Sequence, residues 1–515
     1  LWTVGAGTLA AGRDRERLVE EHVAEWARRW DERDIVVEGD EESQHALRLC
    51  LYQLMQHELP ARAVKLSPAR GLSGAYHSGA TFFDTELHKD AYWSWTDPAV
   101  ARSHLMFRHG TLAAAREFAR ATGFAGARFP VAADDRGEDT GPHEVLSLGH
   151  GPRTPEWNVR QVLHISADVA YAVHRHHEVT GDDEFLFRPG LELLVETARF
   201  AASALRWCDD RQAYRARSVM GPDEYHHHVD DNLFTNVMLR WNLTTALDSL
   251  ARASVLDGPR TDAVRRRLAV GEEELATWRE IASRVWTPAP LPGGAAAQHD
   301  GYAELDDCPT RVDGGTPAPR LTDVERREVG RGLSLPTKLV KQADVVLLAH
   351  LLPEAFPDDT ALASLNFYEP RTAHASSLSF APHGVVAARA GEADRALHFF
   401  RRSARYNLDY RPRAHYRNGL HLSACAGAWQ VVVEGFLGLR HAADGIVVRP
   451  CLPSGWTRLS VPLRYRGSDL VVTVDRTGTS VRLKAGPPVR VEICGEVSVL
   501  TESSTSFHRT RSTED

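Results

Sequence analysis

Nowhere does this 515-residue sequence contain the roughly 18 to 20 consecutive apolar residues that a membrane-spanning helix needs. Basic residues are not in excess either. Lys and Arg number 61 against 69 Asp and Glu, a net charge of -8, which is the wrong sign for a groove that tracks phosphates. Neither a membrane nor a nucleic acid is therefore an expected partner. Six dispersed cysteines (Cys50, Cys208, Cys308, Cys425, Cys451, Cys494) form no CxxC pair, which excludes a zinc ribbon and a disulfide framework and leaves buried reduced thiols. There is no signal peptide, so a cytoplasmic location is expected, although the first residue is Leu rather than Met. No repeat of fixed period occurs. What is present is a soluble globular composition, 43% hydrophobic and 25% charged.

Apolar residues recur at helical spacing in about twelve segments, beginning with RERLVEEHVAEWARRWD (15–31) and 42–58 and ending with 393–406 and 420–437. Several, such as LHISADVAYAV (163–173) and LELLVETARFAASAL (191–205), are apolar around most of their circumference. Helices of that kind belong inside a large assembly. Twelve of them suit a closed ring of six hairpins, but an open solenoid would read the same. Residues 286–322, with TPAPLPGGAAA and DGGTPAP, predict a long, partly mobile loop. Beyond about 445 the period changes to two: LSVPLRY, DLVVTVD, SVRLKA and VRVEIC predict strands of a small antiparallel sheet. The polar tail TESSTSFHRTRSTED is expected to fray.

The chemistry concentrates in VMGPDEYHHHVDDNLFTN (219–236). Asp223, Glu224, Asp230 and three histidines surround Tyr225 at the start of a helix, where Asp230 or Asp231 is the expected cap. Consecutive histidines cannot all face one metal ion without distortion, and no carboxylate is spaced to join them. No metal is expected.

This segment resembles the catalytic loop of glycoside hydrolase family 65, the maltose, trehalose and kojibiose phosphorylases. FFDTELH (82–88), LHISADVAYAV (163–173), QHDGYAEL (298–305), VKQADVVLL (340–348), NFYEPRTAHASSLS (366–379) and NGLHLSACAGAWQVVVEGF (418–436) resemble further blocks of that family, in order, over nearly the whole chain. The resemblance implies a mainly α fold, an (α/α)6 barrel followed by a small antiparallel β-sheet domain. The chain divides accordingly into a helical linker (1–35), the barrel (36–440), the sheet domain (441–500) and a tail (501–515). The large N-terminal β-sandwich that normally precedes the barrel is not in this sequence.

The resemblance also implies roles. Glu224 matches the general acid, and Asp84, Lys341, Gln342 and Tyr225 match positions that hold the sugar. His374, Ser376, Ser377 and His421 match the phosphate segment. Cleaving a glycosidic bond by inversion needs a proton for the leaving oxygen and a nucleophile on the opposite face. A carboxyl stays protonated at neutral pH through burial and neighbouring negative charge, which Asp223 or phosphate would supply. Phosphate is itself the nucleophile, so it is the co-substrate and no cofactor is required. A hydrolase would need a second carboxylate as base, for which Glu369 is the candidate. The expected activity is inverting phosphorolysis of an α-linked disaccharide or glucoside to β-glucose 1-phosphate. Inverting hydrolysis is the alternative, and an inactive sugar-binding homologue the second. Any self-association is expected to be a homodimer. Departures from the family pattern at Ser78-Gly79-Ala80, Phe83, Val131 and Ala375 fall near the sugar pocket.

Overall fold

The computed structural model describes residues 15–57, 66–74, 76–141, 144–146, 153–155, 157–307, 312–313, 316–317, 334–409, 419–442, 444–501 and 504–509. Six inner segments form a closed cycle: residues 85–96, Ile165–Thr180, Leu233–Leu256, Val345–Leu351, Phe380–Arg389 and 422–436. Each packs on the next, and the last packs back on the first. Six outer segments lie over the gaps: Glu41–His57, Pro98–Gly110, Leu191–Ala204, 258–283, Asp358–Tyr368 and Ala393–Ala404. This contact cycle decides for the ring over the solenoid. The inner helices are buried nearly all round because both faces are covered: in Ile165–Thr180 only Tyr171, His174 and Thr180 escape burial.

The helix read at 15–31 lies outside this ring. It spans Arg15–Arg33, and its N-terminal half is exposed. The twelfth barrel position belongs instead to Asp358–Tyr368, whose sequence DDTALASLNFY carries no clear apolar stripe.

Two sheets pack beside the barrel. We label the strands β1 (Val36–Glu38), β2 (Leu439–Ala442), β3 (Gly445–Val448), β4 (Arg458–Tyr465), β5 (Ser468–Asp475), β6 (Gly478–Ala485), β7 (Val489–Ile493), β8 (Glu496–Leu500) and β9 (Thr505–Arg509). The orders are β1-β4-β5-β6-β9 and β8-β7-β3-β2. Burial alternates residue by residue along β4 and β5, the period-two pattern of a sheet with one covered face. Pairing is antiparallel except between β7 and β3, which run parallel.

Three expectations are corrected here. Residues 36–38 are a strand of the sheet, with Val36 opposite Ser460, rather than the start of the barrel. Part of the polar tail is ordered as β9, because β6 offers it an edge. Of the cysteines, Cys50 and Cys425 are buried, but Cys208 and Cys451 are half-buried and Cys494 is exposed. Cys308 and part of the 286–322 loop (308–311, 314–315 and 318–322) lie outside the described residues, whereas 286–307 is described and buries Leu291, Gln298 and Tyr302. No helix among the described residues is long and apolar enough to cross a membrane.

Candidate active site

A cavity of about 660 Å³ opens at one end of the ring. Its lining includes Asp84, Glu224, Lys341, Gln342, Ser376, Ser377 and His421, contributed by five sequence blocks far apart in the chain. Glu224 sits on the loop leading into helix Leu233–Leu256. That loop begins at Gly221, where a Cβ would lie 2.3 Å from Asp344 Oδ2 and 2.5 Å from Asn232 Nδ2. Only glycine permits that approach. The helix cap is Asn232, whose side chain accepts from Thr235 N at 2.9 Å. Asp231, expected as a cap, is instead buried against Arg215, and Asp230 accepts from Ser218 N.

Glu224 faces the cavity with its side chain 38% exposed, and its Oε2 meets Lys341 Nζ at 2.7 Å. The neighbouring Asp223 points the other way, fully buried. Its Oδ1 accepts from Lys341 N (2.7 Å) and Tyr225 N (3.2 Å), and its Oδ2 from His226 Nδ1 (2.6 Å) and Gln298 Nε2 (2.9 Å). The expected use of Asp223 as a charge beside the proton donor is therefore corrected, since its negative charge is directed into this buried set of donors. Gln342 Nε2 donates to Pro222 O at 2.5 Å, a second tie between the two segments.

Asp84 immediately precedes the π-helical turn Thr85–Lys89 and accepts from Ser423 Oγ at 3.1 Å. Ser377 Oγ lies 3.0 Å from His421 Nδ1, and Ser376 Oγ accepts from Leu378 N. Hydroxyls and an imidazole at hydrogen-bond distance of one another are a donor group suited to an oxyanion.

Three expected site residues do not reach the cavity wall. Tyr225 packs with Leu335, Leu339 and Ala373. His374 stacks on Phe380 with centroids 4.7 Å apart, and its Nδ1 lies 2.8 Å from Ser379 Oγ. Burial, with His383 alongside, holds its imidazole well below the usual range. A neutral, turned-away ring is no phosphate clamp. Glu369 is ion-paired with Arg395 outside the lining, which removes it as the candidate base. Neighbouring residues of a motif leave the backbone in different directions, so matching the string does not place every side chain.

Sequence reasoning missed Arg70, His77, Tyr406 and Ser423, all of which line the cavity. Arg70 is nearly buried, at 7% exposure, within LSPARGLSG, which reads locally as a turn. Its segment is tied to both ends of the cycle of inner segments: Ser73 Oγ accepts from Leu420 N, just before the last, and Lys89 Nζ, in the first, donates to Ser67 O and Pro68 O. Burial, then Arg70 nearby, lowers the His77 imidazole, partly offset by Asp84 and Glu224. Of the departures from the family pattern, Ser78, Phe83, Val131 and Ala375 line this same cavity. Among the described residues, no three His, Cys, Asp or Glu side chains gather as metal ligands.

The model of the glycosyl hydrolase family 65 central catalytic domain matches residues 48–430, and that of the family's C-terminal domain residues 439–500. A kojibiose phosphorylase of Caldanaerobacter subterraneus subsp. tengcongensis is 33% identical over 496 residues, covering 96% of this chain and 63% of its own length. A 1,2-alpha-glucosylglycerol phosphorylase of Bacillus selenitireducens is likewise 33% identical over 496 residues, covering 92% of this chain and 63% of its own. A solved structure from the human microbiome, provisionally described as a kojibiose phosphorylase, superposes with a TM-score of 0.85 at 25% identity. That match covers 99% of this chain and 72% of the other. The chain thus spans a little under two thirds of the length of these curated relatives. With the barrel, the cavity and both family models in agreement along the sequence, the chain belongs to glycosyl hydrolase family 65.

Proposed function

We propose that this protein is an inverting glycoside phosphorylase, converting an α-glucoside and phosphate to β-glucose 1-phosphate and a released acceptor. The observation that carries the reading is that one cavity brings Glu224 together with the Ser376, Ser377 and His421 group. In this reading Glu224 protonates the leaving oxygen. Asp84, Lys341 and Gln342 hold the hydroxyls of the transferred sugar. The hydroxyl and imidazole group orients phosphate for attack at the anomeric carbon from the opposite face. Phosphate brings its own negative charge and nucleophilicity, so no metal or organic cofactor is called for. The names of the relatives support the same class. The substrate is an α-linked disaccharide or glucoside handled in the cytoplasm by the chain itself or its homodimer, without nucleic acid or membrane.

Among the described residues the cavity holds one other carboxylate, Asp84, so hydrolysis with Asp84 as base is the second reading. The test is to incubate the protein with kojibiose, nigerose, maltose, trehalose and 1,2-α-glucosylglycerol, the compounds for which relatives are named, with and without phosphate. Reducing sugar and β-glucose 1-phosphate are followed. Cleavage that requires phosphate and yields the β-phosphate is expected. Phosphate-independent release would replace the reading by hydrolysis, and silence on all five by a sugar-binding protein.

A further inference from the structure

We propose that Asp223, ionised and paired with His226, is the positioning residue that sets Glu224 and Lys341 against each other in the cavity. The inference rests on the reading of Glu224 as proton donor given above.

The argument begins with the number of donors. A carboxylate has room for about four acceptor interactions, and Asp223 makes four. Two come from its own loop (Tyr225 N and His226 Nδ1), one from Gln298 and one from the backbone of Lys341. Three sequence blocks separated by some 75 and 118 residues therefore meet on one side chain. Two further ties run beside it. Gln342 donates to Pro222 O, and Asp223 N donates to Asp344 Oδ2 at 3.3 Å. The 2.7 Å contact between Glu224 and Lys341 is thus fixed from the backbone below, because residues 223 and 341 are bonded to each other before either side chain turns into the cavity.

His226 shows which charge state does this. Its Nδ1 faces the Asp223 carboxylate at 2.6 Å, and its Nε2 faces the carbonyl of Thr337 at 2.8 Å. Both partners only accept, so both ring nitrogens carry hydrogen and the ring is an imidazolium. Burial by itself would push the Asp223 carboxyl up and the His226 ring down. The opposite charge and the hydrogen bonds outweigh it, holding Asp223 below and His226 above their usual values. A buried ion pair with every bond made gives little net stability but fixes geometry. Displacements of about 1 Å at a reacting group cost on the order of a hundredfold in rate.

Substrates that differ in their need for a proton provide the test. A disaccharide needs the leaving oxygen protonated, whereas α-D-glucosyl fluoride leaves as fluoride and needs little acid help. Asp223→Asn gives His226 and Gln298 a donor where they need an acceptor, and it is expected to lower kcat on the disaccharide about 100-fold. Activity on the fluoride, whose sugar still depends on Lys341, should fall at least tenfold less than that on the disaccharide, and the KM for phosphate should change less than threefold. Glu224→Gln, measured alongside, should show the same split. His226→Gln cuts the pair from the other side and carries the test if Asp223→Asn does not fold, folding being checked by circular dichroism. Equal losses on both substrates in a folded variant would assign Asp223 a merely structural role and overturn the proposal. It leaves phosphorolysis by the native protein untouched. Fluoride and disaccharide cleavage by the native protein without phosphate would instead overturn the phosphorolytic reading, while the split between substrates would still decide the role of Asp223. A native protein inert towards both overturns the two together.

Discussion

Glu224 and Ser377 enter the cavity from blocks some 150 residues apart, and their chemistry separates their mutational signatures. Removing the acid with Glu224→Gln preserves shape, so sugar affinity should hold while kcat on a disaccharide falls by about 10²- to 10⁴-fold. Full activity in steady-state assays of this variant would end the assignment of Glu224 as donor. Ser377→Ala removes one hydroxyl and frees His421 from its 3.0 Å contact. A hydrogen bond to a charged group is worth about 1.5–3 kcal/mol, which predicts a rise in the phosphate KM of about 10- to 100-fold with the sugar KM unchanged. Arg70 supplies a fixed positive charge in the same lining. Arg70→Leu is expected to raise the phosphate KM at least as much as Ser377→Ala, and an unaltered phosphate dependence would place that guanidinium outside the phosphate site.

Elements show why some of this was legible in the sequence and some was not. The inner helices carry long apolar runs and β4 and β5 alternate with a period of two, and such signals survive any context. Strand β1 has only three residues and finds its partner at Ser460, more than 400 positions away, so no local pattern announces it. Strand β9 is the polar segment TSFHR, held because β6 needs a neighbour. In the site, Asp84, Glu224, Lys341 and Gln342 stand in motifs whose spacing is informative, and the fold gathers them. Arg70 lay hidden because a turn sequence looks the same whether or not it borders a cavity. Tyr225 and His374 misled because residues beside a functional one can serve its packing. The element most at odds with its modest sequence is β1. Val37 within it is 5% exposed and belongs to the main core, and Gln44 grips both sides of it through Val37 N and Ile35 O. Burying an unpaired charge there costs several kcal/mol. Val37→Asp should therefore lower the urea midpoint by an amount that a surface change such as Val255→Asp, at 89% exposure, does not approach.

At the scale of the whole molecule, burial of imidazoles sets the response to pH. The chain has 25 histidines, and burial pushes His88, His174, His176, His299 and His383 down to about 4. Between about 4 and the ordinary histidine value of 6.5, the unfolded chain binds protons that the folded chain does not. Stability is then fully present above 6.5 and lost as the pH falls towards 4. Asp344 works in the opposite sense. Burial beside Asp223 raises it to about 6, so the folded state holds its proton in that range, and His226, Asp90, Asp168 and Asp231 are raised as well. Burial also lowers His77, His228, His350, His374, His398 and His441, so the lowered imidazoles outnumber the raised groups. The melting temperature should accordingly fall on going from pH 7 to pH 5, and a flat or rising profile would contradict the balance. His176 isolates one term. Its ring packs 4.8 Å from Phe185, and neither ring nitrogen has a hydrogen-bond partner among the described residues. His176→Leu keeps the packing and deletes the titration. Its stability relative to the native protein should rise by about 1.4 kcal/mol for each pH unit lost between 6.5 and 4.5, read from urea midpoints at several pH values. A constant difference would mean that this ring is protonated in the folded protein and compensated by a neighbour.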